Sequence, residues 1–242
     1  SLDGLQLENK AYVAFLYSGG DTTQNAINGQ NGAWFSPWRG TLALNWGVQQ
    51  QMLDIAPQTI RRYYEQATDN DYLVSGPSPA GIYYLPFLPD LTVFGQFAAG
   101  YLERTDIHFS ELWYYDRDAF YRFNQYTHQD GYVTPMGDTP QDVEYLADGT
   151  PVFLRDPKIW TGEVVGNYST PAEFAAVLDQ FRQKYGTPCF LVPWVVPRTE
   201  AYANQGSFPP SKLKETADLL DPNLFKVVRL DELCALARMA RG

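Results

Sequence analysis

Two carboxylates stand where they could break a bond. Asp21 follows the apolar run Tyr12-Val13-Ala14-Phe15-Leu16-Tyr17 and the small polar turn Ser18-Gly19-Gly20. A turn directly after a buried strand presents such a group as an acid, base or nucleophile; the same carboxylate could instead cap the helix or turn that follows. Glu163 lies in Trp160-Thr161-Gly162-Glu163, in a long loop after a short strand-like run, where it is either a partner carboxylate or a solvated loop residue. Hydrolysis of a glycosidic bond needs two carboxyl groups, about 5–5.5 Å apart in retaining enzymes and about 6.5–9.5 Å apart in inverting ones. Sequence gives no separation, so Asp21 and Glu163 are paired here as the expected catalytic residues and no stereochemical outcome is assigned. Asp116 and Asp71 are further candidates that could equally cap a helix or end a strand.

Around them stand groups suited to holding a sugar. Aromatic faces stack on the C–H faces of pyranose rings, and amides, hydroxyls and carboxylates bind ring hydroxyls. Asn45 and Trp46 end an apolar run, Trp194 ends another, and Asp116 follows a third. The stretch 71–86 carries the rest: Tyr72-Leu73-Val74 reads as a buried strand, and it stops in Ser75-Gly76-Pro77-Ser78-Pro79-Ala80-Gly81 before Tyr83 and Tyr84. Glycines and prolines can make such a loop stiff while letting a ligand approach the backbone. Ser75, Ser78, Tyr83, Tyr84, Asn45, Trp46, Asp116 and Trp194 are therefore the expected substrate-binding residues. The plain alternative is a proline-rich connection whose tyrosines fill the core.

Other chemistries fit less well. His108 and His128 are the only histidines, so His-rich zinc sites are excluded by count. Asp106-Ile107-His108 could place two ligands on one strand face, but D-x-H is common by chance, and no metal or other cofactor is expected. There is no G-x-S-x-G elbow for a serine triad. Gly19-Gly20 is not a phosphate-binding fingerprint. The net charge of −10 and pI near 4.6 disfavour nucleic acid, whose affinity comes from neutralising phosphates. A neutral carbohydrate carries no such penalty.

These residues need elements to position them. Strands are expected at 12–17, 41–46, 72–74, 111–115, 131–134, 151–154, 189–194 and 225–228, with helices between most of them. Pro57 should open a helix whose stripe is Ile60, Tyr63, Tyr64 and Ala67. Asp90 can cap one running to about Glu103, and another should span about 117–126. Thr170-Pro171-Ala172-Glu173 reads as a helix start with a capping box, and Gly186 as its end. Helices are expected from about Pro210 to Leu220 and from Asp231 to Met239. Strands alternating with helices imply parallel pairing. About eight units in 242 residues favour a TIM-like (β/α) barrel, irregular or with fewer than eight complete units across 127–168. In such a barrel the working face is at the C-terminal ends of the strands, where the residues named above fall. Residues 1–10 read as a tail or linker and 11–242 as one domain. Cys189 and Cys234 sit in apolar patterns and are expected as buried free thiols. No apolar run approaches the ~20 residues that span a bilayer.

The order of motifs resembles a known family. Tyr12–Asn25, then Pro37-Trp38-Arg39-Gly40 leading to Asn45-Trp46, then Ala67-Thr68-Asp69-Asn70-Asp71-Tyr72 running into Gly76-Pro77-Ser78 and Ala80-Gly81, are similar to the C-terminal domain of the GxGYxYP glycoside hydrolases, as is the ending Arg229-Leu230-Asp231-Glu232-Leu233. The resemblance implies an α/β barrel-like domain that acts on carbohydrate, follows an N-terminal domain of the same protein and is exported, to the periplasm or outside the cell. Two departures stand out. Of the name-giving motif, Gly81 and Tyr84 are kept, while Pro79, Ile82 and Leu85 replace the first glycine, first tyrosine and proline. The first turn, Ser-Asp-Gly-Asp-Asn in the family, reads Ser18-Gly19-Gly20-Asp21-Thr22 and keeps only the second acid. That loss implies the rival expectation, a non-catalytic carbohydrate-binding or interdomain module on a degenerate barrel.

Overall fold

The structure, a computed structural model, describes residues 2–19, 23–135, 141–155, 160–161, 169–205 and 207–242. In chain order these form β1 (Ala11–Val13), β2 (Leu16–Tyr17), α1 (Thr23–Ile27), β3 (Leu44–Val48), α2 (Met52–Ile55), α3 (Pro57–Gln66), β4 (Asp71–Ser75), α4 (Leu91–Thr105), β5 (Phe109–Glu111), α5 (Arg117–Thr127), β6 (Gly131–Pro135), β7 (Val143–Tyr145), β8 (Pro151–Arg155), β9 (Trp160–Thr161), α6 (Pro171–Tyr185), β10 (Cys189–Leu191), β11 (Trp194–Val195), α7 (Pro210–Leu219), β12 (Phe225–Val227) and α8 (Leu230–Arg241).

Eight strands run parallel in the order β8-β6-β5-β4-β3-β2-β11-β9, with β7 antiparallel on the β8 edge. Laid flat at ~4.8 Å per strand, eight strands would span about 34 Å. Yet Arg155, ending β8, and Trp160, opening β9, are five residues apart, a reach of at most ~18 Å. The sheet therefore curls. Phe153 of β8 and Phe190 of β10 meet at 6.3 Å between ring centroids, and the Phe190 amide donates to Asp142 Oδ2 at 2.5 Å. At the lower end β10, β1 and β12 form a second parallel sheet. Backbone bonds from Ala14 to Leu191 (2.9 Å) and from Leu16 to Pro193 (3.0 Å) carry the pairing through the breaks between β1 and β2 and between β10 and β11.

The expected α/β class and parallel pairing are present; among the described residues the sheet curls as a half-barrel and does not complete eight β/α repeats. Among the described residues no helix separates β6 from β8, where the antiparallel β7–β8 pair stands instead. The fourth strand also lies earlier than expected, at 109–111 rather than 111–115, because the chain turns away after Glu111 and Tyr114 takes φ 60°. The helix starts follow the sequence signals. Asp90 accepts from the amides of Thr92 and Val93, and Thr170 and Glu173 form the capping box.

Strand alternation sorts the core into layers. Tyr12, Ala14, Leu16, Val74, Phe109, Val133, Phe153, Phe190 and Val192 fill the inside of the curl. Val13, Phe15, Tyr17 and Trp46 pack outward with Phe174, Leu178 and Leu213 of α6 and α7. Tyr132, Val152 and Leu154 pack outward with Phe120 and Phe123 of α5 and Ala98 of α4. Leu5 and Leu7, within the expected tail, pack against the inner layer. Cys189 and Cys234 are buried and free. No described helix is long and apolar enough to cross a membrane.

Candidate functional site

At the C-terminal ends of the strands the inward positions change character. Below, they are apolar apart from Asn45 of β3. Above them come Ser18, Gly47, Gly76, Glu111 and Arg155, each the next inward-facing residue of its strand. Glu111 is the centre. It has no solvent exposure, and its Oε2 accepts from Ser18 Oγ at 2.8 Å. Its Oε1 accepts from Trp113 Nε1 at 3.1 Å and from Arg155 Nη1 and Nη2 at 3.4 Å each. Burial pulls the Arg155 guanidinium down to about 10, partly offset by the Glu111 charge beside it. A charge is retained inside a protein when it is paired and hydrogen-bonded, and this pair is both. Arg155 also lies 5.5 Å from the centre of the Trp194 ring.

Three glycines let the strand ends converge. A Cβ on Gly47 would lie 2.4 Å from the Gly19 nitrogen, one on Gly19 would lie 2.6 Å from the Gly76 carbonyl oxygen, and one on Gly76 would lie 3.0 Å from Glu111 Oε2. Beside them runs a row of amides. Ser75 Oγ donates to Gln50 Oε1 at 2.8 Å, Gln51 Nε2 donates to Gln49 Oε1 at 3.2 Å, and Thr23 Oγ1 donates to the same Gln49 oxygen. Gln30 Nε2 donates to the Gly47 carbonyl. Glu111, closed to solvent, holds the ends of β2, β5 and β8 together.

The expected residues are distributed as follows. Asp21 and Glu163, the expected catalytic pair, lie outside the described residues. Ser75 is at the mouth, buried and bonded to Gln50. Ser78 is buried, and its hydroxyl donates to the Gly81 carbonyl, closing the 76–81 loop on itself. Trp194 is half-buried beside Arg155. Tyr83 is 39 % exposed and rests on Phe94 at 4.6 Å, and Tyr84 meets Tyr114 edge-on at 4.7 Å. Asp116 caps α5 by accepting from the Ala119 amide at 2.8 Å. It also lines a cleft of about 390 Å³ with Leu85, Pro86, Asp90, Asp118 and Arg122.

Asn45 and Trp46 are placed elsewhere. The third strand does not end at Trp46 but continues through Gly47 to Val48, which leaves both residues in its interior and fully buried. Asn45 donates to the Phe15 carbonyl at 2.9 Å and accepts from the Leu230 amide at 2.8 Å, tying β3 to α8. Trp46 stacks on Tyr17 at 4.8 Å and donates to Asp71 Oδ1 at 2.8 Å. Their partners account for them as packing residues. Asp71 opens β4 at the opposite end of the sheet and is bound by Arg39 at 2.6 Å. Asp106 and His108 share no strand: Asp106 caps the C-terminus of α4 and pairs with exposed His108 at 2.9 Å. Among the described residues no group of three or more His, Cys, Asp or Glu could hold a metal ion.

Sequence reasoning passed over Glu111, Arg155 and the glutamines 49–51. The expected strand 111–115 begins two residues late, which puts Glu111 at its start, and the expected strand 151–154 ends one residue before Arg155. The inward period from Phe109 to Glu111 and from Phe153 to Arg155 was the available signal.

The fold has solved counterparts. A crystal structure of a "putative hydrolase" from Bacteroides thetaiotaomicron VPI-5482 superposes with TM-score 0.78 at 19% identity, over 99% of this chain and 49% of that one. This chain thus spans about half the length of that structure. A "putative polysaccharide deacetylase" from Mycobacterium smegmatis superposes with TM-score 0.63 at 11% identity, over 96% of this chain and 92% of that one. At these identities the likeness is one of fold. No curated protein matches by sequence. The model of the GxGYxYP putative glycoside hydrolase C-terminal domain matches residues 9–238, nearly the whole chain, and the chain belongs to that family.

Proposed function

We propose that this chain is a carbohydrate-active domain of glycoside-hydrolase type, working at the C-terminal mouth of its curled sheet. The observation that carries the reading is the change of chemistry along the inside of the curl: an apolar layer ends in Ser18, Glu111 and Arg155, with Ser75 and Gln50 bonded to each other on the outer side of the same strand ends. Membership of a family described as "putative glycoside hydrolase" supports the substrate class. Asp21 follows Ser18 in the chain and is the proposed essential carboxylate, with Glu163 as its partner. Glu111 and Arg155 are proposed as positioning residues that fix the strand end from which Asp21 is presented. An N-terminal domain of the same protein and export from the cytoplasm remain part of the proposal on the family resemblance.

One observation favours a second reading. At Gly19, the missing acid of the family's turn, a side chain would meet the backbone oxygens of Gly76 and Gly47. The mouth is built without that acid, as a binding domain that does not cleave would be. A hydrolase of amide or ester groups on glycans is the third reading. Among its forms a histidine-ligated metal hydrolase is disfavoured, because His108 precedes β5 and His128 ends α5, both at the far end of the strands from the mouth.

The experiment is a polysaccharide panel followed by reducing-sugar and acetate release, with wild type, Asp21→Asn and Glu163→Gln. Glycosidic cleavage lost in both variants, with unchanged melting temperature, supports the first reading. Unchanged turnover in Asp21→Asn removes that residue from the mechanism. Glycan binding with flat release of both products favours the second reading, and acetate without reducing sugar favours the third.

A further inference from the structure

Beyond the mouth the surface carries an aromatic cluster that the packing of the core does not use. Phe87 is 70 % exposed and Tyr114 is 57 % exposed. Tyr114 meets Tyr84 edge-on at 4.7 Å and Phe87 edge-on at 5.7 Å, with interplanar angles of 69° and 72°. Scattered single apolar residues on a surface need no explanation, but grouped ones do. The segments that carry the rings follow the C-terminal ends of β4 and β5, so they lie on the working face. Tyr114 is three residues beyond Glu111, a reach of at most ~11 Å.

The backbone adds an independent observation. Tyr114 holds φ 60°, a left-handed conformation that glycine adopts freely and an aromatic residue adopts at a cost. Such strain persists where the surroundings impose it and concentrates at ligand clamps. Here it holds an exposed ring upright against two others. Leu85, Pro86 and Leu88, the chain neighbours of the cluster, line the cleft of about 390 Å³ together with Asp116, Asp118 and Arg122. Asp116 and Asp90 each use Oδ1 in a helix cap, and carboxylate oxygens accept sugar hydroxyls.

We infer that Tyr84, Phe87 and Tyr114 form a sugar-stacking subsite that continues the mouth outward, with hydroxyls of the bound glycan reaching the acidic cleft beside it. The inference rests on the carbohydrate reading above and deepens it by naming where the chain lies and which glycans fit. Three aspartates against one arginine at the cleft, on a chain of net charge −10, select a neutral glycan over a uronate or sulfated one, because like charges repel across short distances.

The test uses fluorescently labelled full chain on an array of neutral and uronate-bearing polysaccharides, with wild type, Phe87→Ala, Tyr114→Gly and Tyr114→Phe. Wild type is expected to bind at least one neutral glycan. Phe87→Ala and Tyr114→Gly should weaken that binding about tenfold or more, the order expected from losing a well-packed ring, while Tyr114→Phe should keep most of it. The melting temperature of Tyr114→Gly should equal or exceed that of wild type, so lost binding cannot come from unfolding. Binding retained within about twofold in Phe87→Ala and Tyr114→Gly overturns the subsite and leaves the carbohydrate reading standing. Binding confined to uronate-bearing glycans overturns the specificity. A wild type that binds no glycan on the array overturns the subsite and the carbohydrate reading together.

Discussion

Arg155 reaches Glu111 Oε1 with both terminal guanidinium nitrogens, at 3.4 Å each, and neither side chain has any exposure to solvent. The pair joins β8 to β5, and through Ser18 it joins both to β2. Three strand ends thus share one carboxylate. Taking two charges out of water costs as much as their attraction returns, so the pair is weak evidence of added stability. What it supplies is a fixed geometry at the mouth.

Removing one partner should be far worse than removing both. Arg155→Met strands a buried carboxylate and should cost about 3–5 kcal/mol. Glu111→Gln keeps one acceptor oxygen for Trp113 and can donate from its amide nitrogen to Ser18 Oγ, and it should cost less than Arg155→Met. The double variant Glu111→Leu with Arg155→Met should recover a large part of the single loss. Urea unfolding of these proteins, with Glu111→Leu alone to complete the cycle, measures this, and purely additive losses of Glu111→Leu and Arg155→Met would mean that the pair does not interact.

The fold was legible where signals are local. Thr170, Pro171 and Glu173 announce α6, and Asp90 announces α4, because capping needs only residues within one turn. The site was not, because its bonds span distance in the chain. Glu111 and Arg155 are 44 residues apart, and Ser18 and Glu111 are 93 apart. Nothing near any of the three records the partnership. Asn45 and Trp46 misled for a related reason: Gly47 ended the apolar run by composition while the strand itself went on to Val48. The glycine marks a close approach of backbones, to Gly19, and not a turn. The curl was legible only as alternation. The break in that alternation, β7 on the β8 edge, depends on a pairing between segments and has no local signature.

Gly19 should be intolerant of any side chain. The atoms facing it are the carbonyl oxygens of Gly76, at 2.6 Å from a built Cβ, and of Gly47, at 3.0 Å. Both are backbone, so neither can swing aside as a flexible side chain would. Gly19→Ala should cost about 1–3 kcal/mol through forced backbone shifts. Gly19→Asp, which restores the acidic residue of the family's turn, should cost at least as much and should not raise turnover on any glycan. Denaturant midpoints of the two variants test this. An unchanged midpoint would show that the turn moves away from β3 and β4 freely.

Asp142 should make the closure of the sheet sensitive to pH. Its carboxylate accepts from the Phe190 amide at 2.5 Å, and its carbonyl accepts from the Leu154 amide at 2.8 Å, so it clips the β8 edge to β10. Burial raises its pKa from the ordinary aspartate value, with the Phe190 amide opposing part of the rise. The folded state therefore holds the proton more tightly than the unfolded state does. By linkage, the stabilisation is complete below the unfolded value and is lost as pH rises through the folded one. Asn at this position keeps an acceptor for Phe190 and cannot ionise. The melting temperature of Asp142→Asn minus that of wild type should therefore grow as pH rises from about 3 to about 7, the interval over which a raised carboxylate titrates. A difference that stays flat across that interval would mean that the Asp142 carboxylate is no harder to ionise in the fold than in the unfolded chain.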